Sequence, residues 1–553
     1  MYACPNCGAN IKFDPGTQMM KCPYCDTEIA PFDYMHAKSA EEEKGIDLDA
    51  QITPESDPDE YEVTYYTCPQ CGGELITEDT TAATFCSYCG ASTILEMRVG
   101  KEKKPDYIIP FKKTRDDCVK AYKKTVSRAI FAPSYLKKDE TIERFRGIYM
   151  PYWIYDVSSN GKVTAKGSTS TRRGDYIYTK NYDVSADVET VYRGISYDAS
   201  SSFEDRLSEA IAPFDLNDSE HFTSSFFSGF YADTSDVEPE IYNEDVKNLV
   251  LNDAAPIVYS DPAFRKHGVS MAGVVQALGN RRTTYRNKRA MFPVWFLSNQ
   301  NGDRVSYAVV NGQTGKVAMD IPIDAKKFFI GTLVLAIPIC VLLLLTNVLI
   351  GPRLLIGITM IISLIVLILA NSQSNELFAR EILFTDKGYN SRRTPEQIKE
   401  AQKLATGNVV VKKAKIKPGS GSLGIGSAIG FGVLGLTLGT LIGKGPLLGL
   451  VFFIAMIIVN AVNYKRVPKD KIIVKCPVSR KIGITIFPII TMVIGALIFM
   501  IHPYEDMFYY GTAILGMVMT GYTVVRLVMR HNQLSSRKLP QFNKRGGEEH
   551  END

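Results

Sequence analysis

The apolar residues divide the chain into two unlike halves. Residues 1–327 mix polar and apolar positions, whereas residues 328–530 contain long apolar runs with almost no charge. Six of these runs approach or exceed the length at which a helix crosses about 30 Å of hydrocarbon. They span residues 328–350, 354–370, 423–442, 446–462, 482–501 and 507–525. We therefore expect an all-α transmembrane bundle of about six helices within residues 326–531, followed by a polar C-terminal tail at 532–553.

The charges between the runs predict the orientation of the bundle. The 371–422 connection has ten Lys and Arg residues and the 463–481 connection has seven, whereas the other connections have at most one each. Because basic loops stay in the cytoplasm, we expect a multi-pass protein of the cell membrane with both termini cytoplasmic. No apolar run contains an ionisable Asp, Glu, Lys, Arg or His, which argues against ion-coupled transport. The glycine-rich run at 423–442 fits either a closely packed helix or a loop.

Residues 100–325 predict a cytoplasmic α+β domain that is rich in antiparallel strands. Thr114 and Asp117 have the spacing of a capping box at the start of a helix. Apolar positions at helical spacing follow, and basic residues surround them. These apolar positions are Val119, Tyr122, Val126 and Ile130. Such a helix could lie on an anionic membrane surface, bind an acidic partner, or be an ordinary surface helix with a solvated basic face.

The two tryptophans of the chain stand in similar phrases, YMPYWIYDVSSNG around Trp153 and MFPVWFLSNQNG around Trp295. Each phrase ends in Asn-Gly, the pair that favours a tight hairpin turn. We therefore predict two related β-hairpins, with turns at Asn160–Gly161 and Asn301–Gly302.

Eight of the eleven cysteines form one pattern that occurs twice. In each copy, two Cys-x2-Cys pairs are separated by fourteen residues. The eight residues are Cys4, Cys7, Cys22, Cys25, Cys68, Cys71, Cys86 and Cys89. Four thiolates at this spacing close around Zn²⁺ and leave no position for water. We predict two structural zinc sites, in ribbons at residues 1–30 and 64–97, in preference to disulfides or a redox pair.

Charge gives no sign of a nucleic-acid partner. The 553 residues include 63 Lys and Arg against 60 Asp and Glu, so the net charge is only +3. The segment at 31–63 is strongly acidic, predicts a flexible linker, and would repel phosphates. Residues 1–30 offer only Lys12 and Lys21 as basic side chains, and residues 68–97 offer none.

Two resemblances follow from these motifs. The segment CPNCGANIKFDPGTQMMKCPYCDTEI resembles a transcription factor IIB-type zinc ribbon, and CPQCGGELITEDTTAATFCSYCGAST resembles the same family. The phrase YAVVNGQTGKVAMDIPI, with the ribbons before it and a membrane segment after it, is similar to bacterial zinc-ribbon membrane components of Gram-positive phage-shock-like systems. That resemblance implies a membrane anchor for cytoplasmic stress proteins, and it identifies an architecture more than an activity.

The sequence therefore favours a non-enzymatic integral membrane adaptor or scaffold. Its cytoplasmic ribbons and β-rich domain would recruit cytoplasmic or membrane-associated proteins, in envelope-stress maintenance as the resemblance implies. No GxSxG, HExxH, Walker A or GxGxxG motif stands in a supporting context, and His221 and His267 are isolated. Two alternatives stay open: a membrane-tethered nucleic-acid-binding protein, and a component of lipid or small-molecule transport.

Overall fold

The architecture is taken from a computed structural model. It describes residues 2–35, 60–77, 86–92, 95–345, 351–381, 386–391, 476, 478–501, 503–540 and 542. Most of the predicted acidic linker and the apolar runs at 423–442 and 446–462 lie outside these residues.

The N-terminal ribbon is a small antiparallel sheet of its own. Its strands are β1 (Lys12–Asp14), β2 (Met19–Lys21) and β3 (Glu28–Ile29), in the order β1-β2-β3. Phe13 and Met20 are opposite each other and buried, at 3% and 0% exposure. This short core faces the larger sheet that follows in the chain.

The larger sheet has twelve strands among the described residues. They are β4 (Glu60–Thr67), β5 (Glu74–Ile76), β6 (Glu96–Lys103), β7 (Tyr107–Ile108), β8 (Arg146–Arg173), β9 (Tyr176–Asp198), β10 (Glu220–His221), β11 (Tyr231–Ala232), β12 (Thr284–Asn301), β13 (Arg304–Asn311), β14 (Val317–Met319) and β15 (Arg537–Lys538). The main order is β10-β7-β12-β8-β11-β5-β4-β6; β9 pairs with β8, and β13 pairs with β12, β14 and β15. The second ribbon supplies β4 to β6, so it belongs to this sheet.

Helices flank the sheet and form a separate bundle. They are α1 (Arg115–Arg128), α2 (Asp139–Ile142), α3 (Asp205–Ile211), α4 (Asn243–Ser260), α5 (Pro262–Lys266), α6 (Met271–Gly279), α7 (Ala325–Leu345), α8 (Pro352–Glu381), α9 (Lys387–Ser391), α10 (Val478–Ile501) and α11 (Asp506–Leu534). Short 3-10 turns lie at Ser134–Lys137, Leu216–Asp218, Ser224–Phe227 and Pro239–Tyr242. An antiparallel β-rich domain with flanking helices is therefore present, as predicted.

The capping box at Thr114 is confirmed, and the apolar face of its helix is corrected. Thr114 accepts from the Asp117 backbone N–H, while Asp117 accepts from the Thr114 backbone. The buried positions of α1 are Cys118, Tyr122 and Val126. Ile130 lies beyond the end of the helix and is 81% exposed, so its predicted place on that face is wrong.

Only one of the two predicted Asn-Gly turns exists. Asn301 pairs with Arg304 across a tight turn in which Gly302 has a φ of 64°. At Asn160–Gly161 the prediction is wrong, because β8 continues and Gly161 pairs with Val188 of β9. The turn of that hairpin is at Gly174, with a φ of 60°. Strand β8 extends because Val163 and Ala165 are buried against helices α4 to α6, which outweighs a local turn preference.

Four described helices are long and apolar enough to cross a membrane. They are Ala325–Leu342, Pro352–Glu381, Ser479–Ile501 and Asp506–Leu534. Helices α8, α10 and α11 pack together, and a hydrogen bond of 2.7 Å joins the hydroxyls of Ser363 and Thr520 at their centre. Membrane association is therefore supported, whereas two of the six predicted runs are outside the described residues.

The chain after the last apolar helix returns to the sheet. Strand β15 pairs with β13 through Arg304↔Lys538 and Val305↔Arg537. The Arg304 guanidinium also donates to Gln533 O at 2.7 Å and to Ser536 O at 2.8 Å. The β-rich domain and the end of α11 are thus on the same side of the helix bundle.

The NGQTGK phrase forms the turn between β13 and β14. Asn311 is fully buried, and its Oδ1 accepts from the backbone N–H groups of Gln313 and Thr314, both at 2.9 Å. Its Nδ2 donates to Ile211 O at 3.0 Å. The amide therefore fixes both this turn and the segment that follows α3.

We predict that Asn311→Ala destabilises the β-rich domain by about 2 kcal/mol, because buried backbone groups lose their partners. Chemical denaturation of the detergent-solubilised protein measures this change. Asn217→Ala is the matched control, since Asn217 is an exposed residue of the segment that Asn311 holds. Equal stabilities of the two variants would contradict the prediction.

Candidate metal centres

The structure brings the predicted cysteines together in two groups of four. In the first group, the Sγ atoms of Cys4 and Cys25 are 3.6 Å apart, and those of Cys7 and Cys22 are 3.5 Å apart. The corresponding pairs in the second group are at 3.8 Å and 3.7 Å. Four sulfurs at ~2.3 Å from a tetrahedral ion lie about 3.8 Å from one another. Both groups therefore fit a metal ion, and their sulfurs are too far apart for disulfides.

All four knuckles share one backbone design. The backbone N–H four residues after the first cysteine donates to that cysteine's carbonyl, at 2.7 to 3.1 Å. The donor residue has a positive φ in each case. These residues are Gly8 (73°), Asp26 (52°), Gly72 (69°) and Gly90 (76°). The three glycines are visible in the sequence as turn residues, whereas the equivalent role of Asp26 could be found only by aligning the four knuckles.

The two centres differ in burial. All four cysteines of the second centre are buried, whereas Cys7 of the first is exposed and Cys25 is partly exposed. The second centre shares a hydrophobic core with Phe296 and Tyr307 of the sheet. The Tyr307 hydroxyl donates to Tyr88 O at 2.6 Å, beside Cys89. The fold of the second ribbon therefore depends on the sheet.

The first ribbon is also docked on the β-rich domain. The rings of Phe13 and Phe226 meet edge to face at 5.1 Å, and the Phe13 N–H donates to Ser228 O at 3.1 Å. Gln18 Nε2 donates to Phe111 O at 2.7 Å. Each ribbon is therefore packed against the same sheet.

The pKa values of the thiols shift in opposite directions within each centre: those of Cys25 and Cys68 fall, whereas those of Cys7, Cys71 and Cys86 rise. The Thr27 hydroxyl lies 3.0 Å from Cys25 Sγ, and this hydrogen bond lowers the pKa of Cys25 to about 6. In the second centre, hydrogen bonds from Cys71, Cys86 and Cys89 lower the pKa of Cys68. A metal ion binds cysteine as the thiolate, and the geometry of each centre offers it four protein ligands.

A second cluster of charged groups joins the sheet to the apolar helices. Arg380, at the end of α8, lies 2.9 Å from Asp320 Oδ2 and 3.5 Å from Glu204 Oε1. Arg206 lies 2.8 Å from the same Asp320 oxygen. Burial alone would raise the pKa of Glu204, but Arg380, Arg537 and Arg206 lower it. The sequence gives no signal for this cluster, since Glu204 and Arg380 are 176 positions apart.

Three carboxyl groups with few compensating charges lie beside the charge cluster around Arg380. Asp198, Asp205 and Asp386 are mostly buried, and burial raises the pKa of all three. The pKa of Asp386 rises to about 7, with the charge of Asp205 as the second cause. Asp205, the first residue of α3, accepts from the Lys387 N–H at 2.8 Å, so this hydrogen bond holds α9 against α3.

The two histidines considered from the sequence lie apart from both centres. His221 stacks on Tyr107 with ring centroids 5.6 Å apart, and the His267 ring is 4.5 Å from Tyr182. Each ring packs on an aromatic neighbour in a different part of the sheet.

The chain resembles a known bacterial protein over most of that protein's length. The chain is similar to a Bacillus subtilis (strain 168) protein described as uncharacterized protein YdjG, with 25% identity over 338 residues. The similarity covers 59% of this chain and 91% of that protein. No family model and no solved structure matches the chain.

We predict that Cys7→Ser and Cys86→Ser each lower the metal content from two ions per chain to one. Cys86→Ser should also destabilise the whole sheet by several kcal/mol, because its centre lies in the sheet core. Cys7→Ser should have the smaller effect. Elemental mass spectrometry and thermal unfolding measure both, with Cys340→Ser, outside both centres, as the control. A Cys86→Ser protein that keeps two ions would contradict the assignment.

We predict that Asp386→Asn changes how stability depends on pH. The Asp386 carboxyl keeps its proton up to about pH 7 in the folded protein, but only up to about pH 4 in the unfolded protein. Between these pH values the native state therefore binds more protons than the unfolded state. Stability should therefore fall as pH rises from about 4 to 7 and then level off. Asp386→Asn should remove part of this decline, by at most about 1.4 kcal/mol per pH unit.

Melting temperatures of the detergent-solubilised protein between these pH values measure the effect. Asp175→Asn, at the exposed turn between β8 and β9, is the control and should follow the unmodified protein. Parallel curves for all three proteins would count against the prediction.

Proposed function

We propose that the protein is a non-enzymatic integral membrane adaptor that presents a β-rich platform to protein partners. Two features support this. Both cysteine centres can be closed by four protein ligands, which suits structural rather than catalytic metal. Both also pack on the sheet, so the metal ions would stiffen one platform.

We propose Zn²⁺ as the metal and the cytoplasm as the location of the platform. Four thiolates in a tetrahedral arrangement suit Zn²⁺, and a reducing compartment keeps them free of disulfides. The basic connections at 371–422 and 463–481 also favour the cytoplasmic side of the membrane for the platform. The pairing of β15 with β13 supports a C-terminus on the side of the ribbons.

One observation carries the adaptor proposal: the hairpin of β8 and β9 projects far beyond the rest of the sheet. Residues 170–181 are exposed on both strands. Its tip presents Tyr176, Ile177 and Tyr178 at 73%, 70% and 58% exposure. A two-stranded ribbon in water is only marginally stable, and exposed apolar groups at such a tip are typical of an interaction site.

The position and charge of the tip favour a soluble, acidic protein partner. Strand β8 starts near α1 at Phe145, whose ring packs on Tyr122 at 5.3 Å, and runs for 28 residues. At about 3.3 Å per residue it carries the tip up to about 90 Å from its start. Within the exposed residues 170–181, the basic side chains are Arg172, Arg173 and Lys180, and the acidic one is Asp175. Tyrosine and arginine together are enriched at protein interfaces.

Site-specific photo-crosslinking in intact cells tests this proposal. We predict that a benzophenone amino acid in place of Tyr178 gives a protease-sensitive adduct of defined mass. The same group in place of Ile257, which is 66% exposed on α4, should not. Arg172→Glu with Arg173→Glu should weaken the adduct about tenfold or more, because two charges are reversed at the contact.

The alternatives predict different products. A nuclease-sensitive adduct would support nucleic-acid binding, and an adduct with lipid would support a transport component. The absence of any adduct at Tyr178, with both metal centres still loaded, would contradict the adaptor proposal.

A further inference from the structure

The end of helix α1 is fixed to the start of the first apolar helix. The rings of Phe131 and Phe328 meet edge to face at 5.4 Å. The Phe131 ring also covers Gly331, where an added Cβ would lie 2.6 Å from it. Asp324 N–H donates to Phe131 O at 2.8 Å, and Lys327 Nζ donates to Ala132 O at 2.7 Å. These contacts hold residues 131–132 level with the first two turns of α7.

The residue before this contact is an exposed aliphatic group. Ile130 is 81% exposed, although it follows an otherwise amphipathic helix. On α7, Phe329 and Ile330 are also exposed, at 45% and 63%. Because α7 enters the apolar phase at these residues, Ile130 lies where the bilayer surface meets the span. Transfer of an aliphatic side chain from water to this boundary lowers the free energy.

A basic stripe on α1 leads to the same place. Lys120, Lys124 and Arg128 follow one another at four-residue intervals, so they lie along one face of the helix. All three are exposed, as is Lys326 in the first turn of α7. The acidic residues of α1, Asp116 and Asp117, are in its first turn, at the far end from Ile130. The last three turns of α1, which lead to the boundary with the apolar helices, therefore carry basic side chains and no acidic ones.

We propose that Ile130 and this basic stripe form a docking surface for the anionic phospholipid headgroups of the adjacent leaflet. The occupant is the bilayer itself, because the surface is continuous with the first span and its charge is complementary to anionic lipid. Lys and Arg near such a surface are attracted by its negative potential, and an inserted aliphatic group adds an apolar contact. The docked helix would fix the tilt of the β-rich platform relative to the membrane. This role is independent of what the hairpin tip binds.

Tryptophan fluorescence of the full chain in nanodiscs tests the proposal. The protein carries Ile130→Trp, and the native Trp153 and Trp295, each 6% exposed, give a constant background. The nanodiscs contain brominated phosphatidylcholine, alone or in an equimolar mixture with brominated phosphatidylglycerol. We expect bromine to quench Ile130→Trp more strongly than Ile257→Trp, and the quenching to rise by about twofold or more with the anionic lipid.

The lipid-dependent increase should disappear in concentrated salt, which screens exposed charges. It should also disappear when Lys120→Gln, Lys124→Gln and Arg128→Gln are combined. The combination of Lys162→Gln, Lys166→Gln and Lys266→Gln, three exposed lysines away from α1 and the hairpin tip, is the matched control and should keep it. Equal quenching at positions 130 and 257 would overturn the proposal, as would equal quenching of Ile130→Trp in the two lipid mixtures. These two comparisons need no lysine variant, so they decide the question even if the triple variant does not fold.

Discussion

The pairing between β8 and β12 is the interaction on which the rest of the molecule depends. The two strands are in antiparallel register from Thr284↔Ser158 to Phe296↔Arg146. Through β11, strand β8 connects to the second ribbon, and through β9 it builds the projecting hairpin. A tight turn joins β12 to β13. Strand β13 pairs with β14, which precedes α7, and with β15, which follows α11. The ribbons, the hairpin and the apolar helices are therefore all positioned by one pair of strands.

Features that a local requirement specifies could be predicted from the sequence. Metal coordination by two Cys-x2-Cys pairs fixes their spacing within a few residues, and the structure brings both groups of four together. The hydrocarbon of a bilayer demands long uncharged runs, which is why the four described spans were recognisable. The capping box at Thr114 is equally local, since donor and acceptor are three residues apart.

Features that depend on distant parts of the chain could not be predicted. The turn expected at Asn160–Gly161 does not form, because burial of Val163 and Ala165 against helices about a hundred positions later extends the strand. Whether a ribbon is free or embedded depends on partners such as Phe226 and Phe296, which its own sequence does not encode. The charge cluster around Arg380 likewise joins segments that no spacing rule relates. In each case the missing information is tertiary packing.

The return of the C-terminal strand to β13 also sets the order in which the molecule is made. Arg304 and Ser536 are 232 positions apart, and the four apolar helices of the described residues lie between them. A ribosome needs roughly 10–50 s to synthesise that distance, while domains fold as they emerge. Strand β14 can pair with β13 early, but the Arg304–Val305 end of that edge gains its partner only when residues 537–538 have been made, after the described apolar helices. Pairing of β15 with β13 therefore couples completion of the sheet to synthesis of the apolar helix bundle.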